Sequence, residues 1–174
     1  MKKRPTIERL RDVLRYEDGR LYWIKKPSPM ANRAVVGEEA GRTRTNKYDD
    51  IQIDSYRMKA HHIVWALHYG EYPSNFIDHI NGDKTDNRIE NLRLATLFEN
   101  AANRTSARGA SSAYLGVAYK EANKAWQAQI CKNRKQTYLG LFDSEIAAAR
   151  AYNEAAIRLH GQFARLNQID GSAA

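Results

Sequence analysis

The chain has 174 residues, 43% of them apolar, and its 28 lysines and arginines outweigh 20 acids to give a net charge of +8. That balance suits one medium or two small globular domains and points to a polyanionic partner, of which nucleic acid is the commonest. No run approaches the roughly 18 apolar residues of a membrane span, the start "MKKRPTIERLRD" lacks the apolar core of a signal peptide, and the one cysteine, Cys131, excludes an internal disulfide framework or a zinc site of cysteine pairs.

In chain order, "TIERLRDVLRY" places Ile7, Leu10, Val13 and Leu14 at helical spacing behind Thr6, a suitable N-cap. "GRLYWI" reads as a strand, and "DIQIDSYRMKA" as two short strands around a turn. "HHIVWALHYG" is a buried helix that stops at Gly70; its histidines are expected to be structural, and Trp23 and Trp65 to be core residues. "IDHINGDKTDNRIENL" follows as a hairpin with a long polar loop, and "LATLFENAAN" as a helix, giving the order strand, loop, strand, helix. Small and polar residues from Asn100 to Ala113 mark a boundary. The expected division is a first domain at 1–105, a linker at 106–111 and a second domain at 112–170. Up to Thr105 there are 19 basic and 15 acidic residues, and beyond it 9 and 5, so each part carries +4 and the shorter part is the more densely basic.

The hairpin concentrates groups that suit phosphodiester hydrolysis, which needs an activated water, a cation to neutralise charge and residues that fix geometry. His79 can act as the general base, since an ordinary imidazole is substantially neutral near pH 7. Asp78, on the opposite face of the strand, and Asn100, on the following helix, can offer oxygen to a hard divalent cation. Asn91 can orient the imidazole. The competing reading, an ordinary polar turn, stands beside this one for Asp78, Gly82, Asp83, Asp86 and Asn87, residue types that turns select.

"DHINGDKTDNRIENL" followed by "FEN" resembles the HNH endonucleases of the phage and intron-associated type, and "LYW", "AGRTR", "AHHIVWALHYGEYP" and "NRIENLRLAT" match them in the same order, over nearly all of residues 8 to 104. The resemblance implies a ββα-metal unit with His79 as base, Asp78 and Asn100 as metal ligands and Asn91 holding His79. With Asn rather than His at position 100, the implied cofactor is Mg²⁺ (or Mn²⁺). The family commonly has His-Arg where this chain has His61 and His62, so a phosphate contact is expected to be missing.

From Ser111 onward the sequence reads as three strands and a helix. Val117 and Tyr119, then Trp126, Ala128 and Ile130, then Thr137, Leu139 and Leu141 share the parity of a buried sheet face. The helix starts near Glu145 behind Asp143 or Ser144 and ends before Gly161, with Ala148, Ala151, Tyr152, Ala155 and Leu159 on its packed face. His160 suits the role of a helix-end cation. The opposite sheet face carries Ala118, Lys120, Gln127, Gln129, Cys131, Gln136 and Tyr138, either a solvated surface or one fit for the major groove.

"YLGVAYKEANKAWQAQI", "YLGLFDSEIAAARAYNEAAIRLHG" and the final "LN" resemble the plant ethylene-response-factor (APETALA-type) DNA-binding domain over residues 112 to 167. That resemblance implies a sheet that enters the major groove of double-stranded DNA. The candidate contacts are Lys120, Gln127, Gln129, Lys132, Gln136 and Tyr138, joined by Arg104 and Arg108 near the linker. Several arginines of the plant proteins are replaced here, by Leu115, Ala118, Cys131 and Gln136.

The expectation is therefore an α+β protein, a free-standing phage homing endonuclease acting on double-stranded DNA in the host cytoplasm, away from membranes. Its rivals are a DNA-binding regulator with an inactive nuclease domain and a less specific nuclease of phage DNA processing.

Overall fold

Thr6 opens the first helix of the computed structural model, its hydroxyl accepting the N–H of Arg9 at 3.2 Å. This helix, α1 (Ile7–Val13), ends a residue earlier than its apolar spacing suggests, because Leu14 turns extended and pairs with Trp23. Strands β1 (Leu14–Glu17) and β2 (Arg20–Trp23) meet at Asp18 and Gly19, both left-handed with φ of 42° and 82°. Asp-Gly is the dipeptide that a two-residue hairpin favours, because its backbone twist matches the strands. Strands β3 (Asp50–Ile53) and β4 (Tyr56–Lys59) form a second antiparallel hairpin, whose Asp54 carboxylate takes bonds from Arg9 Nε at 2.7 Å and Nη2 at 2.8 Å.

Helix α2 (Ala60–Tyr69) closes at Gly70, where φ of 76° lets the cap N–H reach back to Ala66. Its Ile63 and Val64 join Leu10, Val13, Ile51 and Ile53 in one fully buried core. Strand β5 (Phe76–His79) then pairs antiparallel with β6 (Leu92–Ala95), in a register that sets Asp78 opposite Arg93 and His79 opposite Leu92. Ile77 and Leu92 anchor this hairpin in the core.

The structure describes residues 3–41, 48–102 and 111–169, and packing divides the chain into two units, up to Ala95 and from Thr96. The division falls before the expected linker at 106–111, most of which lies outside the described residues, as do Arg104 and Arg108. The second unit thus begins with α3 (Leu97–Ala102), whose start is a reciprocal capping box. Glu99 N–H donates to the Thr96 hydroxyl at 3.3 Å, and Thr96 N–H donates to the Glu99 carboxylate at 2.7 Å.

Strands β7 (Val117–Lys120), β8 (Ala125–Lys132) and β9 (Lys135–Phe142) form an antiparallel sheet, packed on α4 (Glu145–His160). Ser144, rather than Asp143, caps α4 by accepting the N–H of Ala147 at 3.1 Å. The buried face of α4 is Ala148, Ala149, Tyr152, Ala155 and Ala156, with Ala151 half-buried. Alanines let the helix sit low on the sheet.

One parity expectation is overturned. A β-bulge between Ala128 and Gln129 pairs Ala128 with Gly140 and Gln129 with Tyr138, so one extra residue of β9 is absorbed there. Beyond it, Phe142 takes the inward place and Leu141 turns out opposite Gln127, 41% exposed. Thr137, at the other end of this edge strand, is also exposed.

The end of the second unit is tied back by Asn167, which is buried and bonds both backbone groups of Leu115, accepting its N–H at 2.6 Å and donating to its carbonyl at 3.2 Å. Its own backbone is held by the Asn153 side chain at 2.7 and 2.9 Å. Asn167→Ala leaves the two Leu115 groups partnerless in a part-buried place. We expect a loss of about 2–3 kcal/mol, measurable by urea denaturation.

Candidate active site

Two neighbouring residues of β5 carry the expected chemistry, and both are buried: Asp78 is 4% exposed and His79 3%. The strand alternation sends them to opposite faces. His79 Nε2 lies 3.1 Å from Asn87 Oδ1, and the Asn87 amide is oriented by donating to Thr85 O at 3.3 Å. An amide oxygen only accepts, so Nε2 carries the proton and the basic lone pair sits on Nδ1. Burial pushes the His79 pKa down, against the opposing pull of Asn87 and of the nearby carboxylates of Asp78, Asp83 and Asp86.

The structure corrects one expected partner. Asn91 makes no hydrogen bond to His79; it lies on a 3-10 turn before β6 and ties the loop together. Its oxygen accepts the N–H of Asn81 at 3.0 Å, and its amide donates to Asn81 Oδ1 at 3.0 Å and to Asp86 O at 2.8 Å. The reason is geometric: a residue next to β6 reaches across the loop mouth, whereas Asn87, inside the loop, folds over the ring. Asn87, read from sequence as a turn residue, is 4% exposed and touches the imidazole.

The support for Asn87 comes from far upstream. A Cβ on Gly19 would stand 2.9 Å from the Arg88 backbone nitrogen, so the bare glycine lets the β1–β2 turn rest against this stretch. Beside it, the Tyr16 hydroxyl accepts the N–H of Ile89 at 3.2 Å.

Arg93 is the second residue that sequence reasoning missed. It faces Asp78 across the hairpin and gives Oδ2 two bonds, from Nε at 2.9 Å and Nη2 at 2.6 Å. Charge-assisted and mostly shielded from water, this pair fixes the carboxylate's direction. The hairpin register would have revealed it, had the loop length been known.

Behind His79 stands His61, 5% exposed, its ring meeting that of His79 edge-on at 5.1 Å and that of Tyr48 at 4.9 Å. Burial, with the charges of His62, His79 and Lys59, lowers the His61 pKa from 6.5 to about 2. The imidazole is therefore neutral in the fold, and its contribution is intact above pH 6.5 and lost as acid protonates the unfolded chain in preference. Stability should fall by about 1.4 kcal/mol per pH unit below 6.5 for this one proton. Urea midpoints between pH 7.5 and 5.5 test this, and His61→Gln should flatten the slope.

Whether the site suits a divalent cation turns on its donors. Mg²⁺ is held by one or two carboxylates together with water and substrate phosphate oxygens, whereas zinc prefers four nitrogen and sulfur ligands. Asp78 is a carboxylate of the first kind, and among the described residues no group of three or more His, Cys, Asp or Glu is placed to hold a metal. The donor chemistry fits a sparsely ligated hard cation that shares Asp78 with Arg93. Asn100, expected as a second ligand, lies on α3 in the second unit, half-buried, with its N–H on Thr96 O at 3.0 Å.

In the second unit, Gln127, Gln129, Gln136, Tyr138 and Lys120 lie on the sheet face away from α4, as expected. Lys132 does not: its parity is inward and its ammonium donates to Leu159 O at 2.6 Å. Lys132 thereby supplies the cation at the end of α4, a role expected of His160, whose own pKa is lowered by burial and by Lys132.

A buried Asp-His pair at the mouth of a polar hairpin loop has groups suited to hydrolysis, and comparison with known proteins names a class. A family model described as HNH endonuclease matches residues 58–102. An uncharacterized HNH endonuclease, L560, of Acanthamoeba polyphaga mimivirus is 34% identical over 69% of this chain and 63% of its own length. Protein 3.8 of Escherichia phage T7 is 31% identical over 63% of this chain and 92% of its own length. Residues 58–102 are thus an HNH endonuclease domain, and enzymes of that class cleave DNA and generally use a divalent metal. The chain spans a little less than two thirds of the mimivirus protein. The AP2-like ethylene-responsive transcription factor TOE2 of Arabidopsis thaliana is also similar, 41% identical over 39% of this chain and 14% of its own length. No solved structure matches the chain.

Proposed function

We propose that the protein is a metal-dependent DNA endonuclease of the free-standing homing type, with a ββα-metal nuclease domain at 1–105 and an APETALA-type targeting domain at 112–170. The observation that carries the catalytic part is the buried His79 imidazole, whose Nε2 lies 3.1 Å from Asn87 Oδ1, a contact that favours the tautomer with its basic lone pair on Nδ1. Nδ1 takes the proton of the attacking water. Asn91 positions the base indirectly, by closing the loop, and Arg93 aims the Asp78 carboxylate. Asp78 is the residue that would hold Mg²⁺ or Mn²⁺, and Asn100 joins it on sequence resemblance. Bound there, such an ion supplies neutralising charge to the scissile phosphate and the departing 3′ oxygen. The ends produced are 3′-hydroxyl and 5′-phosphate.

The targeting part rests on the likeness to plant AP2-type factors and on a three-stranded sheet that exposes Lys120, Gln136 and Tyr138 on the face away from α4. Absence of any helix long and apolar enough to cross a membrane, among the described residues, suits action on DNA in a host cytoplasm. Conversion of supercoiled plasmid tests the reading. Nicking or linearisation is expected with Mg²⁺ and not with EDTA; equal conversion in EDTA would rule out metal dependence.

A further inference from the structure

The outer face of the β7–β9 sheet separates charge from its centre. Gln127 stands between Ala118 and Leu141, and Gln129 beside Tyr138, with Gln136 next along β9. None of these six carries a charge. The basic residues lie at the two ends of β8: Lys120, opposite Ala125, at one, and Arg134, in the turn beyond Lys132, at the other. Both are exposed. Eight residues of strand span about 24 Å at ~3.4 Å per step, enough to cross a major groove about 12 Å wide and reach the phosphates on both sides.

Phosphate contacts position a protein, while contacts with base edges specify the sequence. Reading G·C at the centre calls for a guanidinium or ammonium on guanine, or a carboxylate on the cytosine amine, and this centre has neither. It has instead what A·T pairs require: amides for adenine N6 and N7, and apolar groups for the thymine methyl. Leu141 and Tyr138 are 41% and 60% exposed, so both are available for such contact. Gln127 donates to Gln129 Oε1 at 2.9 Å, and this bond holds the two amides in place before any DNA arrives. The bulge at Ala128 and Gln129 matters here too, because it turns Leu141 into the row of Gln127.

We propose that this face reads A·T base pairs in the major groove, with Gln127 and Gln129 on adenine, Leu141 and Ala118 on thymine methyls, and Lys120 and Arg134 on phosphates. The inference rests on the sheet being the DNA-targeting surface. Selection of the intact chain in EDTA on a random duplex library tests it. Selected sites should share A·T pairs at their centre, and Gln127→Ala with Gln129→Ala should lower that preference roughly tenfold. Lys120→Ala should weaken binding evenly across sequences. Sites centred on G·C, or no shared sequence, with binding still weakened by Lys120→Ala, would overturn the A·T reading and leave the sheet as the DNA surface. Affinity and selected sequence unchanged in every variant, each with a wild-type circular dichroism spectrum, would overturn the sheet interface and this inference with it.

Discussion

His79→Ala should slow DNA cleavage by roughly 10²–10⁴-fold, the range that a positioned general base contributes, while DNA binding persists. The argument starts from the ring's surroundings. With Nε2 bonded to Asn87, Nδ1 is the nitrogen that takes a proton from water, and His61, which meets the ring edge-on, is a far weaker base because burial lowers its pKa to about 2. Because burial also lowers the His79 pKa, the acid limb of kcat/KM in the wild-type enzyme should lie below pH 6.5, the ordinary histidine value. Single-turnover cleavage across pH 5–8 measures both effects. A variant retaining the wild-type rate would remove His79 from the mechanism, and a limb above pH 6.5 would contradict a buried, neutral base.

Gly116→Ala carries the largest expected structural effect. Its φ is +69°, and an added Cβ would come within 2.3 Å of both the Gln129 carbonyl oxygen and the Tyr152 ring. The carbonyl belongs to β8, and Tyr152 fills the buried face of α4, so neither can give way cheaply. Gly116 O also accepts the N–H of Gln129 at 2.8 Å, which joins the start of β7 to the middle of β8. Left-handed backbone costs an L-residue about 1–2 kcal/mol and overpacking about 1–3 kcal/mol more, so a loss near 3 kcal/mol is expected. Thermal denaturation by circular dichroism reads it, with Gly37→Ala, which meets nothing within 4 Å, as the control for positive φ alone.

The sequence makes most elements legible because their signals are local. Thr6 and Ser144 as caps, Gly70 as a stop and the alternation along β8 each follow from a few adjacent residues. What escapes is set at a distance. The inward turn of Phe142 depends on a bulge whose cause lies in pairing with another strand, so a parity rule applied within β9 misplaces Leu141. In the site, the Asp78 and His79 pair stands out by motif, yet their contacts do not. Asn87 and Asn91 are chemically alike and four residues apart, and only the folded path of the loop decides which amide covers the imidazole. Arg93 looks like one surface cation among many until the register sets it against Asp78. Lys132 follows the same lesson, since its reach to Leu159 depends on where α4 ends.

The β1–β2 turn bears on how the nuclease unit can be handled as a module. The segment matched by the family model begins at residue 58, yet the loop that holds His79 leans on Gly19 and is bonded by Tyr16. A minimal fragment cut at the edges of that match would keep every residue assigned to the chemistry and lose the brace beneath them. Grafting the hairpin into another protein would therefore require carrying the first hairpin along, or building a substitute for it.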